Sequence, residues 1–431
     1  MKQLFPTRSA PVAAVVLFLA AAFCQAQQSL TWEQVKTRFE TNNPELKADS
    51  DSVDEMKAAE VTAFLRPNPL VGLSSDGIQV APHTTAGLGT HWLPLTGAQL
   101  VPSISYLHER EHKRELRLQS AKEGTQIAGS QHADLERNLL FVLRTSFVQT
   151  LQAKAVLELA TADLAYYDKI IEISRARFKA GDIPHIDLVR IELLRAQYEV
   201  ELQSAIVDLR TAKIQLQQLL NDRAPVEQFD VMGPFDFSDE IKPLEDFRQI
   251  ALDQRPDLRA ALESVQQAQT NHKLAVANGS ADPTFSTWYS YNPAFNNPFG
   301  RYTVGASVNV PLRVFDRNQG EKQRTQIDID RNQRLTDAAQ AQVFSDVDSA
   351  YAQIVSGIAL LKPYKAQYKG QALDVRDTVT YAYEHGGASL MDFLNAQSEY
   401  RAVQLAYVQL VGSYLTAAGQ LNLAVGREVI Q

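Results

Sequence analysis

One five-residue segment has the residue types and spacing of a catalytic metal site. His108-Glu109-Arg110-Glu111-His112 reads H-E-x-x-H. On a helix, histidines at i and i+4 share a face and can hold a zinc ion, with the glutamate between them as the general base of a peptidase. Glu136, 24 residues past His112, is spaced as a third ligand would be. A peptidase also needs a cleft and a wall that excludes water. This segment instead stands where an extended run passes into a long charged helix, beside Lys113, Arg114 and Glu115. The expectation is a solvated charged face with no resident metal, and a secreted zinc metalloprotease is the rival reading. There is no Gly-x-Ser-x-Gly, phosphate loop or dinucleotide fingerprint. His83, His91, His132 and His272 are scattered, while His185 and His385 fall beside two turns and could respond to pH or contact metal. The chain is expected not to be an enzyme and to hold no cofactor.

The elements that position these residues begin with a targeting segment. Lys2 and Arg8 precede an apolar run, Val12 to Phe23, too short to span a bilayer comfortably. Cys24-Gln25-Ala26 offers small residues for cleavage, so residues 1–26 read as a signal peptide of a Gram-negative-type cell. Phe23 stands where a lipidation signal needs a small residue, so Cys24, the only cysteine, is expected to leave with the signal. The mature chain then lacks disulfides and must be held by burial or assembly. No later apolar run approaches the length of a membrane-spanning helix, but a β-barrel remains open, because its strands are weak hydropathy signals. The net charge of −8 gives no electrostatic reason to bind nucleic acid.

The chain is written twice. Asn43-Pro44-Glu45-Leu46 matches Arg255-Pro256-Asp257-Leu258, Asn68-Pro69 matches Asp282-Pro283, and Val101-Pro102 matches Val310-Pro311. Phe178-Lys179-Ala180-Gly181 matches Tyr383-Glu384-His385-Gly386, and Ile186-Asp187-Leu188 matches Met391-Asp392-Phe393. The same punctuation in the same order marks a duplicated unit. It divides the mature chain into residues 27–222, a linker at 223–242, and 243–431. Each half is expected to run helix, two strands, very long helix, turn, long helix.

The long helices carry a heptad seam: Phe393, Ala396, Tyr400, Val403, Tyr407, Leu410, Tyr414, Ala417 and Leu421 in one half, and Tyr198, Leu202, Ala205, Leu209, Ala212, Leu216 and Leu219 in the other. Its small and aromatic residues suit a wide helical wall better than a tight dimer. Glu109 to Ala180 has no proline, and Arg317 to Glu384 has only Pro363 to kink it, so each could run on the order of 100 Å at the helical rise. A soluble periplasmic coiled-coil adaptor is the second rival reading.

Strands are expected at about 69–80, 88–106, 284–291 and 301–310. Tyr302, Val304, Ala306, Val308 and Val310 alternate with Thr303, Gly305, Ser307 and Asn309, giving one apolar and one small polar face. Asn292 to Gly300 reads as an exposed loop, and Trp92, Trp288 and nearby tyrosines as a membrane-interface belt. A small soluble sheet would be the bland alternative. Four strands cannot close a barrel, and open edges are not tolerated in lipid, so a membrane reading demands oligomerisation. Three chains would supply twelve strands.

At this point the chain resembles the TolC-type outer-membrane efflux family over about residues 29 to 427. Arg66-Pro67-Asn68-Pro69-Leu70 is similar to the Pro-Asn-Pro segment of the heavy-metal-efflux (CzcC-like) branch. Phe178-x-x-Gly181 with Asp187-Leu188, and Tyr383-x-x-Gly386 with Asp392-Phe393, resemble the helix-turn-helix at the family's periplasmic tip. The resemblance implies a mainly α homotrimer with a twelve-stranded β-barrel in outer-membrane lipid and an α-helical tunnel in the periplasm. It implies an inner-membrane pump and a periplasmic adaptor as partners, the adaptor docking on the tip turns at about 178–187 and 383–392. The duct would conduct passively.

The turns also have a direct reading. Gly181 and Gly386 can take the left-handed conformation that ends a helix. Ser389 and Asp392 have capping-box spacing, and Asp182 is expected to cap the other returning helix with Pro184 in its first turn. Asp187 and Asp392 read as helix-start charges or as a cation site or latch. Thr303, Ser307 and Asn309 are the expected lumen residues. Four methionines and scattered histidines leave the cargo open among metal ions, drugs and polypeptides.

Overall fold

The computed structural model describes residues 29–78, 80–85, 89–91, 98–292 and 300–430. The signal segment with Cys24, Trp92, and residues 293–299 of the expected loop lie outside them. In chain order the elements are α1 (Trp32–Asn42), α2 (Pro44–Ala63), β1 (Leu70–Asp76), β2 (His83–Thr85), β3 (Gly89–His91), β4 (Gln99–Leu107), α3 (Lys113–Ala180) and α4 (His185–Leu219). There follow α5 (Leu244–Gln254), α6 (Pro256–Ala277), β5 (Thr284–Tyr291), β6 (Tyr302–Asn309), α7 (Gln319–Pro363), a π-turn (Tyr364–Tyr368), α8 (Lys369–Glu384) and α9 (Leu390–Val425). No helix among the described residues is long and apolar enough to cross a membrane.

The duplication is visible in the backbone. In each half the first helical stretch breaks before a proline that starts the next helix, at Asn43-Pro44 and at Arg255-Pro256, where the missing N–H costs nothing. The residue before that proline then ties to the last turn of a long helix: Asn43 Nδ2 donates to the Leu219 carbonyl at 3.0 Å, and Arg255 Nη1 donates to the Ala424 carbonyl at 3.4 Å. Two expected strands differ in extent. The first stops at Asp76; within the second, Gly89–His91 forms β3, paired with the unexpected β2, and Gln99–Leu107 forms β4. The helix expected after β6 is interrupted by the π-turn that follows Pro363.

The chain forms two compact units. The first comprises the chain up to Ala48, Leu135–Arg255 and Val343 onward. Its heptad seams are buried where expected at Ala205, Ala212, Leu216, Phe393, Ala396, Tyr414, Ala417 and Leu421. One apolar cluster joins Val35, Phe39, Leu143, Phe147, Leu216, Leu220 and Val231, each large side chain adding about 1.5–3 kcal/mol by leaving water. The linker is locked here. Val231 pairs with Leu30 in a short parallel bridge, and Asp230 takes Lys154 Nζ at 2.7 Å and Lys213 Nζ at 3.0 Å. Burial pushes the Asp230 carboxyl up, but the two lysines and Ser29 outweigh it and hold it down at about 2.

The second unit comprises Asp49–Asp134 and Pro256–Gln342. Its sheet has strand order β1-β4-β5-β6, every neighbour antiparallel. Its helices are joined by polar groups as well as by buried alanines: Ser120 bonds Asn271 at 2.6 Å, Ser130 bonds Glu263 at 2.6 Å and Thr270 donates to Glu123 at 3.0 Å, beside Ala260, Ala268 and Ala275.

Candidate functional site

The H-E-x-x-H segment is not helical. His108, Glu109 and Arg110 follow β4 in extended chain, and Glu111 and His112 have φ of 56° and 53° before α3 begins. The shared helical face that zinc ligation needs is therefore absent. Glu109, the would-be base, is held by Arg117 at 2.5 and 2.8 Å. His112 is 88% exposed, and His108 rests edge-on to Phe285. No group of three metal-ligating side chains occurs among the described residues. The segment has a structural task instead: the His108 N–H donates to the Pro283 carbonyl and the Arg110 N–H to Asp282, both at 2.9 Å, and the buried Lys113 that follows reaches Asp282 at 2.7 Å and the Ser280 carbonyl at 3.0 Å. The backbone matches this junction in the other half, where Asn318 at φ 60° starts α7.

The sheet is two-faced, and the register shows how. Val71 pairs with Ile104, Ile104 with Thr287 and Thr287 with Ala306, while Tyr106, Phe285 and Val308 form a parallel row. On this apolar face Val71 is 83% exposed, Leu73 73% and Val304 78%. Tyr289, Tyr291 and Tyr302 stack toward one end of it. Burying such a face in water-free surroundings is strongly favourable, and leaving it in water is not. The opposite face carries Gly72, Ser103, Trp288 and Gly305 in one row, and Leu70, Ser105, Ser286 and Ser307 in the next, so it is mostly small and polar with Leu70 and Trp288 as its large members. Thr303, Ser307 and Asn309 all lie on this polar face, in alternation with Val304 and Val308. Trp288 departs from the interface-belt reading: it lies on the polar face, its indole over Gly305 so closely that a Cβ would meet it at 2.4 Å. Among the described residues, β1 and β6 have no outer neighbour.

The two turns lie in the first unit and end their helices alike. Gly181 has φ 84° and Gly386 φ 78°, the left-handed values that L side chains avoid. Asp182 N–H closes on the Arg177 carbonyl at 2.9 Å, and Gly387 N–H on the Ala382 carbonyl at 2.7 Å. The returning helices start differently. Ser389 and Asp392 form the expected capping box, with each backbone N–H 3.2 Å from the other's side chain. The Ser389 hydroxyl and N–H hold the exposed Asp392 carboxyl below its usual range. Asp182 does not cap α4. Pro184 itself occupies the N-cap, offers no side-chain acceptor, and leaves Asp187 in the first turn without a box.

Around the turns, Tyr383, Leu390 and Phe393 are buried with Tyr167, Ile170, Ile191 and Tyr198. Phe393 stacks on Tyr383 at 4.8 Å between ring centres and on Tyr166 at 6.4 Å. Leu188 is buried, whereas Phe178 is exposed and rests against the His185 ring at 5.4 Å. His385 packs against Tyr381 at 4.0 Å. Arg177 joins the two turns, donating to the Tyr383 carbonyl at 2.7 Å and lying 5.0 Å over its ring. Sequence reading missed Arg177, whose partner is 206 residues away. It also missed Arg401, which pairs with Asp163 at 3.0 Å and with Glu201, and lies over the Tyr198 ring. Burial raises the Asp163 carboxyl despite that arginine.

A third feature was legible but unread. Ile186, Leu193, Val200, Val207 and Ile214 recur every seven residues along α4, and all are exposed, from 48% to 69%. The stripe lies off the buried seam of the same helix.

Comparison with known proteins accords with these features. The family described as outer membrane efflux protein matches residues 247–427. The cobalt-zinc-cadmium resistance protein CzcC of Cupriavidus metallidurans is 23% identical, over 99% of this chain and 100% of that protein. The outer membrane efflux protein BepC of Brucella suis is 23% identical, over 68% of this chain and 64% of its own. A solved structure of CusC, described in connection with folding and transmembrane channel formation, superimposes with TM-score 0.75 at 15% identity, covering 94% of this chain and 96% of that one.

Proposed function

We propose that the chain is an outer membrane efflux protein, the outer-membrane duct of a tripartite efflux system that conducts cargo passively, a reading supported by the family match over residues 247–427 and the full-length likeness to CzcC. The observation that carries this reading is the sheet: a wide exposed apolar face, an opposite face of mostly small and polar residues and, among the described residues, two unpaired edges. Open edges and an apolar face are tolerated together only when the sheet closes in lipid. Three copies, edge to edge, would make a twelve-stranded barrel with Thr303, Ser307 and Asn309 toward its lumen. The exposed heptad stripe of α4 supports the same assembly, since it fits a neighbouring helix of a continuous wall. The turns around Gly181 and Gly386 are the docking ends for a periplasmic adaptor linked to an inner-membrane pump.

The likeness to CzcC over its full length favours divalent metal ions as cargo. Loss of metal resistance on deletion, with drug tolerance unchanged, would support that choice; the reverse pattern would exclude it. The two rivals are disfavoured on specific grounds. The peptidase lacks a helical ligand pair, and Glu109 is occupied by Arg117. A soluble adaptor leaves the apolar sheet face in water. The test of the duct reading is single-channel conductance with lysine placed on either face. Lysine at Ser307 or Asn309 changes conductance and ion selectivity, whereas lysine at Val304 or Val308 impairs membrane assembly instead. Equal effects from the two faces would contradict the assignment.

A further inference from the structure

The second long helix is broken where the first is not, and the linker lies on the break. Pro363 has no N–H to give to the helical ladder. The five residues after it, Tyr364–Tyr368, take the wider π-turn, with the Lys369 N–H returning to the Tyr364 carbonyl. Single π-turns within α-helices are uncommon and are sited frequently where function needs them. The linker crosses this place with four consecutive residues. Asp236 pairs with Lys365 at 2.5 Å, and Asp239 with Lys362 at 3.5 Å. Lys365 also lies 5.2 Å over the Phe237 ring, and Phe237 meets Tyr414 of α9 edge-on at 5.9 Å. The Tyr414 hydroxyl donates to the Ser238 carbonyl at 3.0 Å and accepts the Ser238 N–H at 3.3 Å. Tyr407 of α9 donates to Asp236 at 3.3 Å, and its ring carries Lys369, the first residue beyond the π-turn, at 4.0 Å.

These contacts have a common geometry. Lys362 and Lys365 flank the start of the π-turn and Lys369 follows its end, so every cation of the break is held against the linker or against α9. The pairs are also weak one by one: Asp236 and Lys365 are each about half exposed, where an ion pair contributes little. A structural staple would be buried; a set of exposed pairs around an uncommon turn can be released.

We propose that Pro363–Tyr368 is a hinge and that Asp236–Asp239 is the strap that holds it in the setting seen here, so that releasing the strap frees α8 and the turn it carries. The mechanical claim stands on the contacts alone. Its consequence, that strap release alters conduction at the tip, rests on the duct reading.

Hydrogen–deuterium exchange on the full-length detergent-purified protein tests the hinge directly. Three forms are compared: the native chain, D236K/D239K, and the four-site swap D236K/D239K/K362D/K365D. In the double variant the amides of Lys369–Glu384 exchange roughly threefold to tenfold faster, as expected of a segment whose local opening has become easier. Trp32–Asn42 stays at the native rate, and the swap returns Lys369–Glu384 most of the way. Unchanged exchange over Lys369–Glu384, equal acceleration at Trp32–Asn42, or a swap without recovery would each overturn the proposal. If the double variant does not assemble, Phe237→Ala, which removes the ring between Lys365 and Tyr414, takes its place: faster exchange at Lys369–Glu384 with Trp32–Asn42 at the native rate supports the hinge, and no change or equal acceleration overturns it. The expected exchange pattern in a chain that forms no channel would remove the duct reading and leave the hinge.

Discussion

The first and second repeats share a backbone plan and differ in what their side chains do with it. Gly181 and Gly386 end their helices with the same left-handed residue and the same wide hydrogen bond. Yet the second turn is sealed, with Tyr383, Leu390 and Phe393 buried and a complete capping box, while the first presents Phe178 and begins its helix on Pro184. Along the shafts the order is reversed. The first repeat has an unbroken helix of 68 residues, and the second has a proline and a π-turn bridged by the linker. Duplication conserved the positions that backbone geometry dictates and let packing diverge. The result is one copy with a firm shaft and an open-faced turn, and one with a firm turn and an interrupted shaft.

The largest effect that could break this comparison is functional. Under the docking proposal, replacing either turn, Phe178–Leu188 or Tyr383–Phe393, by a short glycine-serine link abolishes export while the assembled protein stays in the membrane. Normal export with both replaced would remove the turns from the docking account. Next comes packing. Phe393→Ala should cost about 3–5 kcal/mol of stability, and Leu188→Ala at the matching position about 2. Thermal unfolding by circular dichroism checks the order, and equal losses would mean the two turns are sealed alike.

The smallest effect concerns how the repeats end. The first is tied off by Asp230 between Lys154 and Lys213. At the second, Asn422 accepts the Val429 and Ile430 N–H groups and donates to the Ile430 carbonyl, beside an exposed Lys36–Glu428 pair. Asp230 is held at about 2, below its ordinary value near 4, so its contribution is complete above pH 4 and is lost as pH falls through 2. With allowance for partial screening, that is roughly 1–2 kcal/mol. Asp230→Asn should remove that share of the acid sensitivity, and Asn422→Ala should not. Melting temperatures at pH 5 and pH 2 distinguish them.

Much of the plan was readable because backbone constraints are local. Proline starts, glycine ends, the Ser389–Asp392 box and the alternation begun at Tyr302 each depend on a few adjacent residues, and all appear in the structure, the strand ending at Asn309, one residue short of Val310. Where the reading failed, distance or competition decided. Asp182 gave way to Pro184 because proline's fixed φ already sets the helix start. H-E-x-x-H implied a helix, but the turn into α3 needs left-handed residues at Glu111 and His112. Arg177 and Arg401 find partners about 200 residues away, beyond any window of sequence pattern. The α4 stripe was legible at a period of seven; it went unread because the buried seam on the same helix has the same period.

A duct requires that the amphipathic sheet close with copies of itself in lipid. The most direct measurement is native mass spectrometry of the detergent-extracted protein purified from membranes. A particle of three chains, with no folded monomer extractable without detergent, is the predicted result. A stable monomer in aqueous buffer would leave the apolar face and both sheet edges in water and would contradict the duct.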